Sequence, residues 1–480
     1  MNKRIVLPLL IVILLFGSFL RFYNIGEESL WVDESGTALL MKNYDLAGVA
    51  HNTIINRQIL PLGYLGKGGD LPVYYLLLKL WTGISSVSES SLRIFSAFFG
   101  VLSILLVYFM SKELFNEKTG LIASFIFSLH AIMLEYSQEA RLYNFMIFIV
   151  LLASYSLIKS IRAKSNTFFA VFILSNLIGI YTSPIFLFFF IFEGLYIFYI
   201  TLKNNFNDNK LFIGFILLII AYLPVIYRLI HASIAGLRYS GKLSLFGIAK
   251  IFLAYNTWIY SPAPYGFLII LSAVIITAIL SFGFIRALIK PNKSLIFAVA
   301  MLVTPFIAFF IMLYRVISVF PSNRYIIYTV PVYVIISAFG LSQLKKKYLA
   351  FIFPLFIISS IVILSSFYIY PIHPEYREAV AFLEQNANKN DVLIASIPGI
   401  KLAFDYYSDK FYNLYPVLNL DDAKKAIENH NSAWLILSTK YADQKGELRD
   451  YFGKNYDLGE TKEFYDVNLT HYTRRKNKSN

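Results

Sequence analysis

The chain has 480 residues, 57% hydrophobic and 17% aromatic, with a mean hydropathy of +0.60. That much apolar surface cannot be hidden in one water-soluble core, so the composition indicates a polytopic membrane protein. The formal charge of +14 does not mark a nucleic-acid binder, because Lys and Arg cluster in short segments between apolar runs, as cytoplasmic anchors do. Part of it could meet anionic lipid head groups or a phosphate-bearing substrate. With no cysteine present, disulfides, thiol nucleophiles and Cys-based metal sites are excluded.

Ile5 to Leu20 reads as the first span, and Lys3 and Arg4 before it are expected to stay in the cytoplasm. No small-x-small cleavage site precedes Arg21-Phe22-Tyr23, so this segment is expected to remain as an anchor. Arg21 to Ser91 is then a long outer loop whose Asp33, Glu34, His51, Arg57, Lys67 and Asp70 make it too polar to cross hydrocarbon. Within it, Asp33 to Asn43 and Tyr44 to Leu60 are expected to form helices near the surface. Leu71 to Ile84 is shorter than the roughly twenty residues of a span. If it crossed, the basic segments Lys159 to Lys164 and Lys345-Lys346-Lys347 would both fall outside, so it is expected to lie along the outer interface.

Further spans are expected at Leu92 to Met110, Leu121 to Glu135, Tyr143 to Ile158, Phe168 to Tyr181 and Pro184 to Leu202. Leu211 to Tyr227, Tyr265 to Arg286, Leu295 to Tyr314, Tyr325 to Leu341 and Tyr348 to Phe367 complete the set. With the first, this makes an α-helical protein of about eleven transmembrane helices, N-terminus inside and C-terminus outside. Residues 1–370 then form a transmembrane domain, with the first outer loop at 21–91. Residues 371–480 are richer in Asp, Glu, Lys and Asn and read as a small outer α/β domain. Its expected elements are a helix at Tyr376 to Asn386, strands at Val392 to Ile397 and Trp434 to Ser438, and a helix at Asp421 to Asn429.

The outer ends of these spans collect Arg93, the run Glu135 to Tyr143, Tyr181, Arg228, His231 and Ser322-Asn323-Arg324-Tyr325. Singly, such residues serve as interfacial anchors, which is enough for Tyr181 and Arg228. Together they describe a polar outer cavity roofed by the first loop. Glu193 falls inside a span and requires an internal partner. The adjacent acids Asp33 and Glu34 are either solvated loop charges or a catalytic or metal-binding pair tuned by low dielectric and nearby cations. Arg141 and Arg324 supply planar forks suited to phosphate oxygens, and carboxylates suit deprotonating a hydroxyl or holding a divalent cation. Phosphate grip plus base at a membrane mouth fits group transfer from a lipid-phosphate carrier. No Gly-rich phosphate loop for a soluble nucleotide donor is visible.

Read in order, Arg21-Phe22, Ser29-Leu30-Trp31-Val32-Asp33-Glu34, Asp70-Leu71-Pro72 through Leu78, and Ser91-Leu92-Arg93 through Gly100 form an ordered set of motifs. Tyr136-Ser137-Gln138-Glu139-Ala140-Arg141-Leu142-Tyr143 and Asn323-Arg324-Tyr325 continue it. This set resembles the GT-C glycosyltransferases, in particular the protein O-mannosyltransferase and lipid A aminoarabinose transferase branch. The resemblance implies a multi-pass cell-membrane enzyme, with its active site outside the cytoplasm, that inverts the sugar of a polyprenyl-phosphate donor. It implies Asp33 as general base for the acceptor hydroxyl, with Glu34 as its motif neighbour, and Arg141 and Arg324, flanked by Tyr143 and Tyr325, toward the donor phosphate. A divalent cation, Mg2+ or Mn2+, would use Asp33 and Asp70. The chain departs from the branch in having only one proline there, Pro72, and no histidine in front of it. Partners implied are the lipid-linked donor, membrane lipids and a protein, lipid or glycan acceptor, with no nucleic acid. Rival classes are a transporter or flippase of lipid-linked sugar, disfavoured by the lack of repeated halves, and a glycan polymerase or ligase.

Overall fold

The computed structural model describes residues 3–54, 71–204, 209–234, 266–315, 323–410, 413–438, 443 and 446–475. Asp70, Arg57 and Lys67, together with residues 55–60 of the second expected loop helix, lie outside them.

Helix α1 (Lys3–Phe22) turns a row of Leu, Ile and Val outward, as a lipid-facing helix does. Two short helices follow in the first loop, α2 (Val32–Asn43) and α3 (Leu46–Ile54), then α4 (Pro72–Ile84) and the long α5 (Glu89–Leu114). Helix α4 is a 13-residue element that buries Tyr74, Tyr75 and Leu78. Its position is fixed by Val73 N–H donating to Tyr181 O at 3.1 Å and by Lys79 Nζ donating to Met41 O at 2.7 Å. Ser88 caps α5 by accepting from Ser91 N–H, and Glu89 in the first turn complements the helix dipole.

Helices α6 (Glu117–Leu129) and α7 (Ala131–Ser137) meet at a 62° bend at His130. The bend releases carbonyls from the helical ladder, and the fully buried Arg21 takes them up. Its guanidinium donates to Ser128 O at 3.2 Å and Phe127 O at 3.4 Å. The bundle continues through α8 (Tyr143–Ala163), α9 (Asn166–Ile180), α10 (Phe186–Lys203), α11 (Lys210–Ile234), α12 (Gly266–Ile289) and α13 (Lys293–Arg315). Two 3-10 turns, Asn323–Tyr325 and Ile327–Thr329, then lead into α14 (Val330–Ser342) and α15 (Lys346–Ile369). Gly340 lies so near Gly283 O that an added Cβ would sit 1.8 Å from it, so α12 and α14 cross with their backbones in contact.

Among the described residues, eight helices are long and apolar enough to cross a membrane, and the bent α6–α7 pair makes a ninth. The remaining two expected spans are shorter apolar helices, α9 and Ile327–Ser342. Each of the eleven expected apolar segments therefore has a helical counterpart. The segment Tyr325 to Leu341 differs in detail, because it begins as tight 3-10 turns before Pro331 starts a regular helix.

Beyond Ile369 the chain builds a mixed sheet. Helix α16 (Tyr376–Asn386) is followed by β1 (Val392–Ala395), α17 (Ile400–Tyr407), β2 (Leu414–Pro416), α18 (Leu420–Ile427) and β3 (Ser432–Leu437). The end is α19 (Glu447–Asn455) and a hairpin of β4 (Tyr456–Phe464) and β5 (Val467–Arg474). Strand order is β2-β1-β3-β5-β4, with β1 parallel to β2 and β3, and β5 antiparallel to β3 and β4. Trp434, Phe404 and Leu383 centre the core on one face. The elements expected here from sequence are present, while α17, α19, β2 and the hairpin add to them. Strand β4 escaped notice because it is an edge strand whose interior is exposed and polar.

Candidate active site

Trp31 is extended and Val32 begins α2, so Asp33 and Glu34 fall in the first turn, where the helix dipole favours negative charge. Consecutive helical residues face about 100° apart, and the two acids have opposite surroundings. Glu34 is fully buried and bound in a fork by Arg93: Nη2 donates to Oε2 at 2.7 Å and Nε to Oε1 at 2.9 Å. Ala140 N–H also donates to Oε1 at 2.7 Å, and Trp31 N–H to Oε2 at 3.4 Å. Burial alone would raise this carboxyl, but the charge and hydrogen bonds of Arg93 override it and hold Glu34 below the usual carboxylate range. The same guanidinium donates to Ile25 O, Glu28 O and Ser29 O, pinning the stretch that leads into α2.

Asp33 is different: its carboxylate is 19% exposed, and Oδ2 accepts from Arg324 Nη1 at 3.1 Å. The Arg324 guanidinium also sits 5.4 Å from the Trp31 ring centre, so the first loop holds it by charge and by the indole face. Arg141 is buried, and its Nη1 donates to Tyr75 Oη at 3.1 Å and Thr37 Oγ1 at 3.3 Å. Thr37 lies one turn after Asp33 and donates to Asp33 O, so Arg141 reaches the same helix end as Arg324. Tyr143 stacks edge-on against Tyr136, 5.0 Å between ring centres, within electrostatic range of Arg324, Arg141 and Asp33. Tyr325 turns its ring toward Phe309 at 6.2 Å.

Two further acids were not singled out by sequence. Glu139 is 5% exposed, its Oε2 has no hydrogen-bond partner among the described residues, and burial, aided by Glu135 and Glu34, raises it well above the usual range. Its place between Ala140 and Arg141 on one side and Gln138 on the other was the available signal. Glu28 is raised to about 7, chiefly by burial, while accepting from Ile372 N–H at 2.8 Å. It lines a small cavity of about 60 Å3 with Glu27, Arg93, Glu135, Gln138 and His373, which Asp33 and Arg324 do not line.

The remaining polar residues divide as their surroundings dictate. Arg228 of α11 donates to Thr53 O at 2.7 Å, fastening the first loop to the bundle, and Tyr181 Oη donates to Ala221 O at 2.8 Å, joining the end of α9 to α11. His51 is exposed, and the side chain of His231 lies outside the described residues. Glu193 is fully buried in α10 beside Asn176 of α9. Among the described residues no group of three or more His, Cys, Asp or Glu is placed to hold a metal ion.

Residues 69–227 match the family described as dolichyl-phosphate-mannose-protein mannosyltransferase. That stretch carries Arg93, Glu139, Arg141 and Tyr143, but not Asp33 or Arg324. The chain superposes on ArnT from Cupriavidus metallidurans in the apo state, with a TM-score of 0.60 at 10% identity, covering 96% of this chain and 97% of that one. The chain has the GT-C glycosyltransferase fold. Within that fold, ArnT from the same organism bound to undecaprenyl phosphate matches with a TM-score of 0.57 at 10% identity, covering 98% of each chain. The oligosaccharyltransferase AglB from Archaeoglobus fulgidus, in complex with an inhibitory peptide and a dolichol-phosphate, matches with a TM-score of 0.53 at 14% identity, covering 95% of this chain and 73% of that one. An uncharacterized protein of Aquifex aeolicus (strain VF5) is 29% identical over 142 residues, 29% of this chain and 26% of the relative. The chain thus spans about a quarter of the length of the curated relative it matches.

Proposed function

We propose that this protein is a membrane glycosyltransferase that moves a sugar from a polyprenyl-phosphate donor to an acceptor hydroxyl on the outer face of the membrane, with inversion. The observation that carries this reading is the pairing of Asp33 in the first loop with Arg324, 291 residues later, beside Arg141. A base and two phosphate-fitting guanidiniums converge on one helix start, in a chain whose fold is shared with a protein crystallised with undecaprenyl phosphate. Orientation follows from charge. Helices α5 and α8 both begin at the site and carry Lys112 and Lys159 with Arg162 near their far ends, and by the positive-inside rule this supports a site on the outer face.

In this mechanism Asp33 takes the proton of the acceptor hydroxyl as its oxygen attacks the anomeric carbon. The bond from that carbon to the phosphate oxygen breaks, and the electron pair leaves with the polyprenyl phosphate. Arg324 and Arg141 stabilise the charge that grows on the leaving phosphate, with Tyr143 and Tyr325 flanking them. Glu34 takes no proton here, because both its oxygens are engaged by Arg93 and backbone N–H groups; its role is to fix the helix that aims Asp33. A divalent ion at Asp33 and Asp70 would add positive charge for the same leaving group. The group that faces Asp33 is Arg324, itself a cation. The acceptor is a hydroxyl of a protein, lipid or glycan.

The test is to reconstitute the full chain in sealed vesicles with undecaprenyl-phosphate mannose or glucose and candidate acceptors, and to follow the lipid by mass spectrometry. Release of undecaprenyl phosphate with a glycosylated acceptor supports transfer. Intact donor that merely changes leaflet would replace this reading with a flippase.

A further inference from the structure

One turn of α5 fastens two things at once. Glu89 and Arg93, four residues apart, share a helix face. Arg93 holds Glu34 and the carbonyls of Ile25, Glu28 and Ser29, as described above. Glu89 holds the sheet domain: its Oε2 accepts from Arg377 Nη1 at 2.7 Å, and its Oε1 accepts a short hydrogen bond from the hydroxyl of Tyr407, the last residue of α17.

The Tyr407 hydroxyl does not end there. It accepts from Leu30 N–H at 2.6 Å, and Leu30 is fully buried. Leu30 immediately precedes Trp31, whose ring lies under Arg324, and stands three residues before Asp33. Burial, followed by the neighbouring Glu89 charge, pushes the Tyr407 hydroxyl far up, so it stays a donor to Glu89 while accepting from the loop. Other contacts converge on the same few residues. Ser29 Oγ donates to Glu378 Oε2 at 2.9 Å and accepts from Arg377 N–H at 3.2 Å, and Arg377 Nη2 donates to Glu27 O at 2.6 Å. His373 stacks on Trp31, 6.0 Å between ring centres and 8° between planes. Gly399 lies so close to Val32 that an added Cβ would meet its Cγ1 at 2.6 Å.

We propose that Tyr407 is a positioning residue for sugar transfer: by bridging Leu30 N–H to Glu89, it sets the start of α2 and thereby the aim of Asp33. The sheet domain is on this view a working wall of the active site. A buried N–H needs a partner, so removing the hydroxyl obliges Leu30 to move toward another acceptor or water, and the first turn of α2 moves with it. Small displacements of a base matter because transfer needs near-attack geometry. The inference rests on Asp33 being the base.

The experiment uses the full chain in lipid nanodiscs with undecaprenyl-phosphate mannose or glucose, whichever the wild type turns over. Tyr407→Phe keeps the ring and loses only the hydroxyl. It is expected to lower kcat roughly ten- to a hundredfold while donor KM stays within about threefold and the thermal midpoint is unchanged. Tyr406→Phe is the comparison, because that hydroxyl also ties the domain down, donating to Val87 O at 2.8 Å, but does not touch the stretch before Asp33. It is expected to keep wild-type kcat. Wild-type kcat in Tyr407→Phe, an equal loss in Tyr406→Phe, or a loss that tracks a fall in thermal midpoint would each overturn the proposal. Asp33→Asn run in parallel separates the two claims. If it is fully active the base assignment fails whatever Tyr407 does; if it is inactive while Tyr407→Phe is normal, only the positioning role fails.

Discussion

Replacing Glu34 by Gln tests whether the two adjacent acids have the separate roles their surroundings indicate. The substitution keeps size and removes the charge that faces Arg93, whose side chain is 2% exposed. A guanidinium would be left buried with a neutral amide, and one of the amide's ends would present N–H groups toward a donor. Removing one member of a buried ion pair costs about 3–5 kcal/mol, because the remaining charge is uncompensated. For Glu34 the upper part of that range applies, since two forked contacts and the Ala140 N–H bond at 2.7 Å are lost or weakened together. The assay is thermal and denaturant unfolding of purified protein, with Asp33→Asn beside it. Glu34→Gln is expected to be strongly destabilised and Asp33→Asn to unfold like wild type. The double change Glu34→Gln with Arg93→Met should recover most of the stability, because it removes the stranded charge. A Glu34→Gln protein as stable as wild type, yet without transfer activity, would refute the clamp and return Glu34 to the chemistry. The sign of the pH effect follows from the same geometry. Glu34 is held below its unfolded value, so its contribution is full above about pH 4.3 and is lost as pH falls below that.

Arg141→Lys and Arg324→Lys keep charge and lose the fork, so each should weaken donor use by about 1.5–3 kcal/mol, or one to two powers of ten, and the pair should be non-additive. Wild-type donor dependence in both single variants would remove the phosphate assignment. Glu28 is raised to about 7, so the folded state binds its proton more tightly and stability falls as pH rises from about 4.3 to 7. Glu28→Gln should flatten that fall in unfolding measurements across the interval, and an unchanged profile would argue against a buried Glu28. Single cysteines at the exposed positions Asn43 and Asn388 should react with an impermeant maleimide added outside, and those at Lys164 and Lys346 should not. The reverse pattern would invert the proposed orientation.

Much of this architecture could be read in advance because hydrocarbon imposes one rule on every segment. A run of apolar residues such as Tyr348 to Phe367 must be helical in lipid, and it lies within α15. Charge asymmetry similarly kept Leu71 to Ile84 out of the set of spans, and α4 is a short helix with its aromatic face buried. Residue type, since buried or interfacial charge in such a chain is scarce, together with the motif resemblance made Asp33, Arg141 and Arg324 candidates. What sequence did not reveal was pairing. Glu34 and Arg93 were both visible, 59 residues apart, but nothing local says that the second acid of the motif turns inward while the first turns to Arg324. Tyr407 was invisible for the same reason: an ordinary tyrosine on a short helix becomes informative only when a loop N–H is found on its hydroxyl. The exposed interior of β4 gave no apolar face to detect, because only its end residues Tyr456 and Phe464 reach the core while β5 lies along it.

The most direct test of the account is single-turnover sugar transfer by Asp33→Asn, with donor binding measured on the same preparation. Proton abstraction acts in the transition state, so transfer is expected to slow by about 10²–10⁴-fold while affinity for undecaprenyl-phosphate mannose or glucose stays within about tenfold. Transfer at the wild-type rate in Asp33→Asn would contradict it.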